Sequence, residues 1–102
     1  MRRKIPELHY RSSRICRVLG NPTAYETLKL LHRRKMHPSE LAQKLGLSLQ
    51  TISAVLRQLR QLDLVRYVTE QRGKRYFIKD ETIIDVMKNI EHLVSRIRSK
   101  EY

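Results

Sequence analysis

The sequence predicts a mainly α fold of five helices with one small β-hairpin set between the fourth and fifth. Three observations predict it. Apolar residues recur at helical spacing through most of the chain. That spacing gives way to β-branched and aromatic residues only over residues 64–79. Asn, Ser, Gly and Pro stand where successive helices have to start and stop. At 102 residues the chain is long enough for one compact domain with a limited core, and residues 1–102 are read as a single domain.

Residues 1–4 form a short basic arm. Pro6 opens a first helix that runs to about Leu19, with Leu8, Ile15, Val18 and Leu19 apolar, and Gly20 ends it. Asn21-Pro22 is an N-cap followed by proline at the first helical position. The second helix runs to about Arg34 and presents Tyr25, Leu28 and Leu31.

Residues 38–62 carry the most specific pattern, PSELAQKLGLSLQTISAVLRQLRQL. Leu41 and Leu45 give a short helix one apolar face, and Ala42 lets a second helix cross close by. Gly46 stands where a tight turn needs positive φ. Leu47 is expected to bury under that turn, and Ser48 to cap the next helix. In that helix Ile52, Val55, Leu56, Leu59 and Leu62 face inward. Gln50, Thr51, Ser53, Ala54, Arg57, Gln58, Arg60 and Gln61 are left outward. This outer surface has no carboxylate. Its amides, hydroxyls and guanidiniums are the groups that read base edges and phosphates.

Residues 64–69 and 75–79 flank Glu70-Gln71-Arg72-Gly73-Lys74, a β-hairpin with glycine in its loop. Placed directly after such a helix, it makes residues 38–79 a winged helix-turn-helix. From Asp80 the chain is helical to about Ser99. There Ile83, Ile90 and Ile97 repeat every seven residues, with Val86, Met87, Leu93 and Val94 between them. This seam is read as the interface of a symmetric homodimer that pairs through the terminal helices.

The charge agrees with a nucleic-acid face. The chain carries 22 Lys+Arg against 10 Asp+Glu and a formal net charge of +12, a balance that attracts polyanions. Residues 1–20 and 21–62 each sum to +5, residues 63–79 to +3, and residues 80–102 to −1. No apolar run approaches the ~18 residues of a membrane span. Cys16 stands alone, which fits a reducing interior. The chain is therefore expected to be cytoplasmic and nucleoid-associated, with double-stranded DNA and a second copy of itself as partners and no small-molecule substrate. Cys16 is expected to be a small buried residue, although Arg14 and Arg17 beside it would favour a reactive thiol. His9, His32, His37 and His92 show no ligand spacing, so no metal or other cofactor is expected. With no catalytic constellation, the chain reads as a non-enzyme.

The chain resembles the ArsR-type winged-helix regulators over residues 15–97. The resemblance rests on Leu19-Gly20-Asn21-Pro22-Thr23, Glu40-Leu41-Ala42 with Gly46-Leu47-Ser48, Thr51-Ile52-Ser53, Leu56-Arg57-Gln58-Leu59, Leu64-Val65 and Arg72-Gly73-Lys74. MarR-like winged-helix families share much of this core pattern. The resemblance implies a homodimer that binds a palindromic operator and usually represses transcription. Many ArsR-type members release DNA on binding metal through a cysteine pair, but this chain has His37 and Ser39 at those places. A second sensor site uses spaced Asp and His on the last helix. Asp85, Glu91 and His92 lack that spacing. Leu62 and Asp63 replace the small residue usual before the wing, and Ala24 replaces an arginine.

The expected DNA contacts follow. Gln50, Thr51, Ser53, Ala54 and Arg57 enter the major groove, Arg57 suited to guanine O6/N7 and Gln50 to an adenine edge. Arg60, Lys44, Arg72, Lys74 and Arg75 meet the backbone or minor groove. Two competing readings stay open: an architectural protein with little sequence preference, and a winged helix used for RNA or protein contact.

Overall fold

The computed structural model describes residues 3–99, so Met1 and Arg2 of the basic arm lie outside the described residues. The elements follow one another as α1 (Glu7–Leu19), α2 (Pro22–Arg33), α3 (Pro38–Leu45), α4 (Leu49–Gln61), β1 (Val65–Glu70), β2 (Gly73–Ile78) and α5 (Thr82–Ser99). This is a winged helix-turn-helix: five helices and one two-stranded antiparallel hairpin.

The local signals act as their chemistry requires. The Asn21 side chain accepts from the N–H groups of Thr23 and Ala24, at 2.9 and 3.2 Å, with Pro22 in the first helical turn. Glu40 reaches back to accept from the His37 N–H at 3.0 Å, starting α3. Gly46 ends α3 in the left-handed region at φ 66°. The Leu47 N–H then reaches back to the Ala42 carbonyl at 3.0 Å, so the orphan carbonyls of the helix end are satisfied.

The same device ends α4 with an unusual residue. Asp63 takes φ 63°, its N–H bonds the Arg60 carbonyl, and the Leu64 N–H bonds the Leu59 carbonyl, both at 2.9 Å. Left-handed backbone is costly for a residue with a Cβ, though Asp is among the more tolerant. Ion pairs to Lys79 and Arg66 hold the Asp63 carboxylate. The Lys79 hydrogen bond is the leading cause that keeps this carboxyl below its ordinary pKa. Asp63 therefore joins the end of the helix-turn-helix to β1 through Arg66 and to the residue that follows β2, Lys79.

The core lies where α2, α3 and α4 cross over the base of the hairpin. Leu28, Leu41, Ile52, Leu56, Leu59 and Val65 are essentially fully buried. Met36 is buried too and extends the sheet by one bridge, exchanging backbone hydrogen bonds with Tyr76 at 2.8 and 3.1 Å.

Two expectations about packing need correction. Leu47 does not bury under the turn: it is 38% exposed, because the turn projects beyond the core. The α5 seam is also divided. Ile83 and Met87 pack with Ile84 in the protomer's own core, while Val86, Ile90, Leu93, Val94 and Ile97 stay exposed. Ile84, Met87 and Glu91 share the side of the helix that packs on α2 and the core, and Val86, Ile90, Leu93, Val94 and Ile97 share the side turned from it. Ile83 and Met87 are thus already spent within the protomer and cannot serve as a free dimer face.

Farther along α5, Glu91 ties the helix to α2. It accepts from the Tyr25 hydroxyl at 2.5 Å and pairs with Lys29 at 3.0 Å. The Tyr25 bond, then Lys29, lowers the Glu91 carboxyl below its ordinary value. Burial, then Glu91, pushes the Tyr25 phenol up to about 12.

Two predictions follow from these ties. At Asp63, glycine relieves the positive φ but loses the ion pairs, whereas alanine keeps the φ and loses the pairs. Melting temperatures should therefore rank Asp63→Gly at or above wild type and Asp63→Ala clearly below it. A glycine variant no more stable than the alanine variant removes the conformational argument. At Glu91, a lowered carboxyl stabilises the fold above its unfolded pKa, and that contribution is lost as pH falls through the folded value. The melting gap between wild type and Glu91→Gln should be present at pH 7 and close as pH drops below about 4. A gap unchanged at pH 3 contradicts the tie.

Candidate nucleic-acid interface

Helix α4 is the element that presents this surface. Its apolar residues Ile52, Val55, Leu56 and Leu59 are buried, and this burial turns the opposite face to solvent. Gln50, Thr51, Ser53, Ala54, Arg57 and Arg60 are all exposed, as are Gln58 and Gln61. At its N-terminus the Ser48 hydroxyl accepts from the Thr51 N–H at 3.0 Å and donates to the Thr51 hydroxyl at 2.9 Å. Thr51 is therefore partly engaged in the cap. Arg57 makes no ion pair with any described residue.

The hairpin lies beside this helix. Its register runs from Val65↔Ile78 to Glu70↔Gly73. Gln71 and Arg72 alone form the turn, and Gly73 takes φ 110°. The expected five-residue loop is thus shorter, and Lys74 joins Arg75 in a strand. Successive strand residues point to opposite faces, so the two cations part company.

Lys74 turns to the face of Tyr67, its Nζ 4.6 Å from the ring centre. Arg60 of α4 approaches the same ring at 5.5 Å. Tyr67 also packs on Tyr76, with ring centres 5.2 Å apart. One aromatic ring therefore gathers a cation from the helix and another from the wing, held by the ring quadrupole while their charge still faces solvent. Tyr67 was not among the residues singled out from sequence. The cross-strand diagonal from Lys74 to Tyr67 becomes visible only once the two-residue turn fixes the register.

Arg75 is placed differently from expectation. Its guanidinium pairs with Glu70 at 2.6 Å, and its Nε is buried without a hydrogen-bond partner among the described residues. Glu70 also faces His37 Nε2 at 3.5 Å, and His37 Nδ1 lies 3.0 Å from the Lys74 carbonyl. A carbonyl can only accept, so His37 donates from Nδ1. Arg75 thus belongs to a clamp between the wing and the start of α3, and its charge is already met.

Arg72 is exposed at the tip. Lys44 is exposed too, but it lines a groove with α2 residues, Lys29 and Arg33 among them, that contains no α4 side chain. Cys16 is exposed rather than buried. It stands on α1 in an apolar cleft against α5, with Leu19, Ile83 and Val86. Among the described residues no group of three His, Cys, Asp or Glu is placed to hold a metal ion. No described helix is long and apolar enough to cross a membrane.

Known structures share this arrangement. M. tuberculosis Rv0081 superposes with a TM-score of 0.85 at 22% identity, covering 94% of this chain and 97% of its own. Mb0332 from Mycobacterium bovis, described as a homodimeric winged helix-turn-helix DNA-binding domain and a possible ArsR-family transcriptional regulator, gives 0.82 at 22% identity over 93% and 88%. The transcriptional regulator HlyU from Vibrio vulnificus gives 0.72 at 25% identity over 85% and 91%. No curated protein sequence matches the chain. The sequence model of the MarR family matches residues 21–75, from the cap of α2 to the outgoing strand of the wing. With that match over more than half its length, and with a winged-helix fold shared with ArsR-type regulators, the chain belongs to the MarR family.

Proposed function

We propose that the chain is a homodimeric regulator of transcription that reads double-stranded DNA at a palindromic operator and represses by occupying it. It acts as a binding protein rather than an enzyme, inside the cell on nucleoid DNA. The acid-free outward face of α4 carries this reading. A helix of that width fits a B-DNA major groove, and its amide, hydroxyl and guanidinium groups match the donor and acceptor pattern there. Gln50, Ser53, Ala54 and Arg57 meet base edges, with Thr51 contributing what its cap leaves free. Arg60, Lys74 and Arg72 anchor the backbone beside them. Arg75 has no role in this scheme beyond fixing the wing.

The dimer rests on the exposed face of α5. Val86, Ile90, Leu93, Val94 and Ile97 are each 40–54% exposed and recur at helical spacing. A soluble chain generally covers such a stripe. Mb0332 is described as homodimeric, and a two-fold pair of α4 helices would read a two-fold sequence. A formal charge of +12 also suits an architectural protein with low sequence preference, so the tests separate the two.

Replacing Ile90 with Asp should give monomer in light scattering at micromolar concentration, where the wild type is a dimer. A wild type that is monomeric under those conditions refutes the arrangement. For the reading face, Arg57→Ala should lose ~1–3 kcal/mol on the selected operator and relax preference at one base position. Lys74→Ala should weaken operator and random duplex alike and lower the slope of log K against log salt by about 0.9 per lost contact. Binding titrations of both variants across a salt series decide the matter. If Arg57→Ala weakens both duplexes equally, the architectural reading replaces this one.

A further inference from the structure

Helix α1 has two unlike flanks. Ser12, Ile15, Cys16 and Leu19 share the flank that closes on α5. Tyr10, Ser13, Arg14 and Arg17 share the other, and with Gln58 and Gln61 of α4 they line a single groove. Successive helix positions lie about 100° apart, so Gln58 and Arg60 sit on opposite flanks of α4. Arg60 faces the wing through Tyr67, and Gln58 faces α1.

We infer that this α1–α4 groove is a second backbone site, in which Arg14 and Arg17 hold phosphates of the bound duplex on the side of α4 away from the wing. The inference rests on the DNA-binding reading above and extends it to a helix that the helix-turn-helix pattern leaves out.

Charge and chemistry carry it. No carboxylate occurs in residues 8–25 or 41–62, the stretches that supply both walls. Elsewhere the cations Lys29, Arg34, Arg66, Arg75 and Lys79 each pair with a carboxylate. Arg14 and Arg17 make no ion pair with any described residue. Two guanidiniums converging on one groove repel each other, and they stay close at least cost when an anion lies between them. Gln58 and Gln61 add amide N–H donors, and the Tyr10 and Ser13 side chains add hydroxyls, although Ser13 already donates to the Tyr10 carbonyl at 2.7 Å. Asp63 stands in the adjoining cleft with Arg14, Gln61 and Leu62, but its carboxylate is held by Lys79 and Arg66. A guanidinium pair with neutral donors suits phosphate oxygens. Because Gln58 and Gln61 lie on the same helix as Gln50 and Arg57, a backbone held there belongs to the duplex that α4 reads.

The test uses the full chain on duplex DNA. Wild type, R14Q/R17Q and R14K/R17K are titrated across a salt series on operator and random duplex. Loss of two phosphate contacts should lower the slope of log K against log salt by roughly 1.8 per protomer, or about 3.6 for a dimer. Operator preference over random duplex should stay as in wild type, and the lysine pair should restore most of the slope. On the wild-type protein, an arginine-specific dicarbonyl reagent should modify Arg14 and Arg17 in the free state, and duplex should protect both. This readout decides the matter even if the glutamine pair folds poorly. A wild-type slope in R14Q/R17Q overturns the inference, and so do arginines equally reactive with and without DNA. Protection already complete without DNA assigns the groove to a protein contact instead. A wild type that binds no duplex at all removes the DNA-binding reading itself, a result distinct from loss of this groove alone.

Discussion

Everything on the presenting surface depends on burying one face of α4 through Ile52, Val55, Leu56 and Leu59. Full burial of each such side chain is worth ~1.5–3 kcal/mol, and together they fix the rotation of the helix about its axis. A turn of one residue, about 100°, would carry Arg57 toward the protein and a leucine toward solvent. The two helix ends hold the helix in place along its axis. Ser48 satisfies its first turn, and Asp63 closes its last. The surface offered to DNA is therefore set by apolar packing and capping, and its own polar residues are free to be chosen for recognition.

The distribution of charge completes that division. Carboxylates sit where elements have to be joined: Glu40 starts α3, Asp63 ties α4 to the hairpin, Glu70 clamps the wing and Glu91 docks α5 on α2. The cations they meet are neutralised by those joints. Arg57, Arg60 and Lys74 have no such partners among the described residues. Arg60 and Lys74 are gathered by a ring instead of a carboxylate, which positions them without cancelling their charge. An exposed ion pair adds little stability, so leaving α4 and its flanks free of acids costs the fold little and preserves a concentrated positive field.

Much of this was legible in the sequence because it depends on local chemistry. Asn21-Pro22, Gly46 and Ser48 act through groups within a few residues of themselves, and the apolar spacing of α4 is independent of its neighbours. The misread features depend on register or on distant packing. Lys74 looked like a loop cation beside Arg75 at the start of the strand, but the turn is two residues long instead of five, so both lie in the strand and point apart. Ile83 and Met87 shared a heptad with Ile90 and Ile97, yet periodicity cannot say which of those positions the protomer's own core takes. Leu47 and Cys16 were assigned to the interior from residue type, but the α3–α4 turn and the α1–α5 cleft both lie at the edge of the core. Asp63 occupies a backbone position suited to glycine, a fact hidden until the end of α4 was located.

The division of α5 also bears on how a dimer would read DNA. Its first turns are locked into the protomer by Ile83, Ile84 and Met87, and Glu91 fixes it against α2 one turn later. The exposed face is therefore fixed to the body that holds α4, with no linker between them. If two copies pair through that face, the distance and angle between their α4 helices follow from α5 geometry alone. A two-fold reader needs its recognition helices about one turn of B-DNA apart, some 34 Å. In such a dimer, any change that shifts α5 on α2, such as loss of the Tyr25–Glu91 bond, would alter that separation while leaving every residue of the reading face intact. In the proposed dimer, affinity for a two-fold operator would thereby be coupled to a joint far from the bases, with no movement needed within the helix-turn-helix itself.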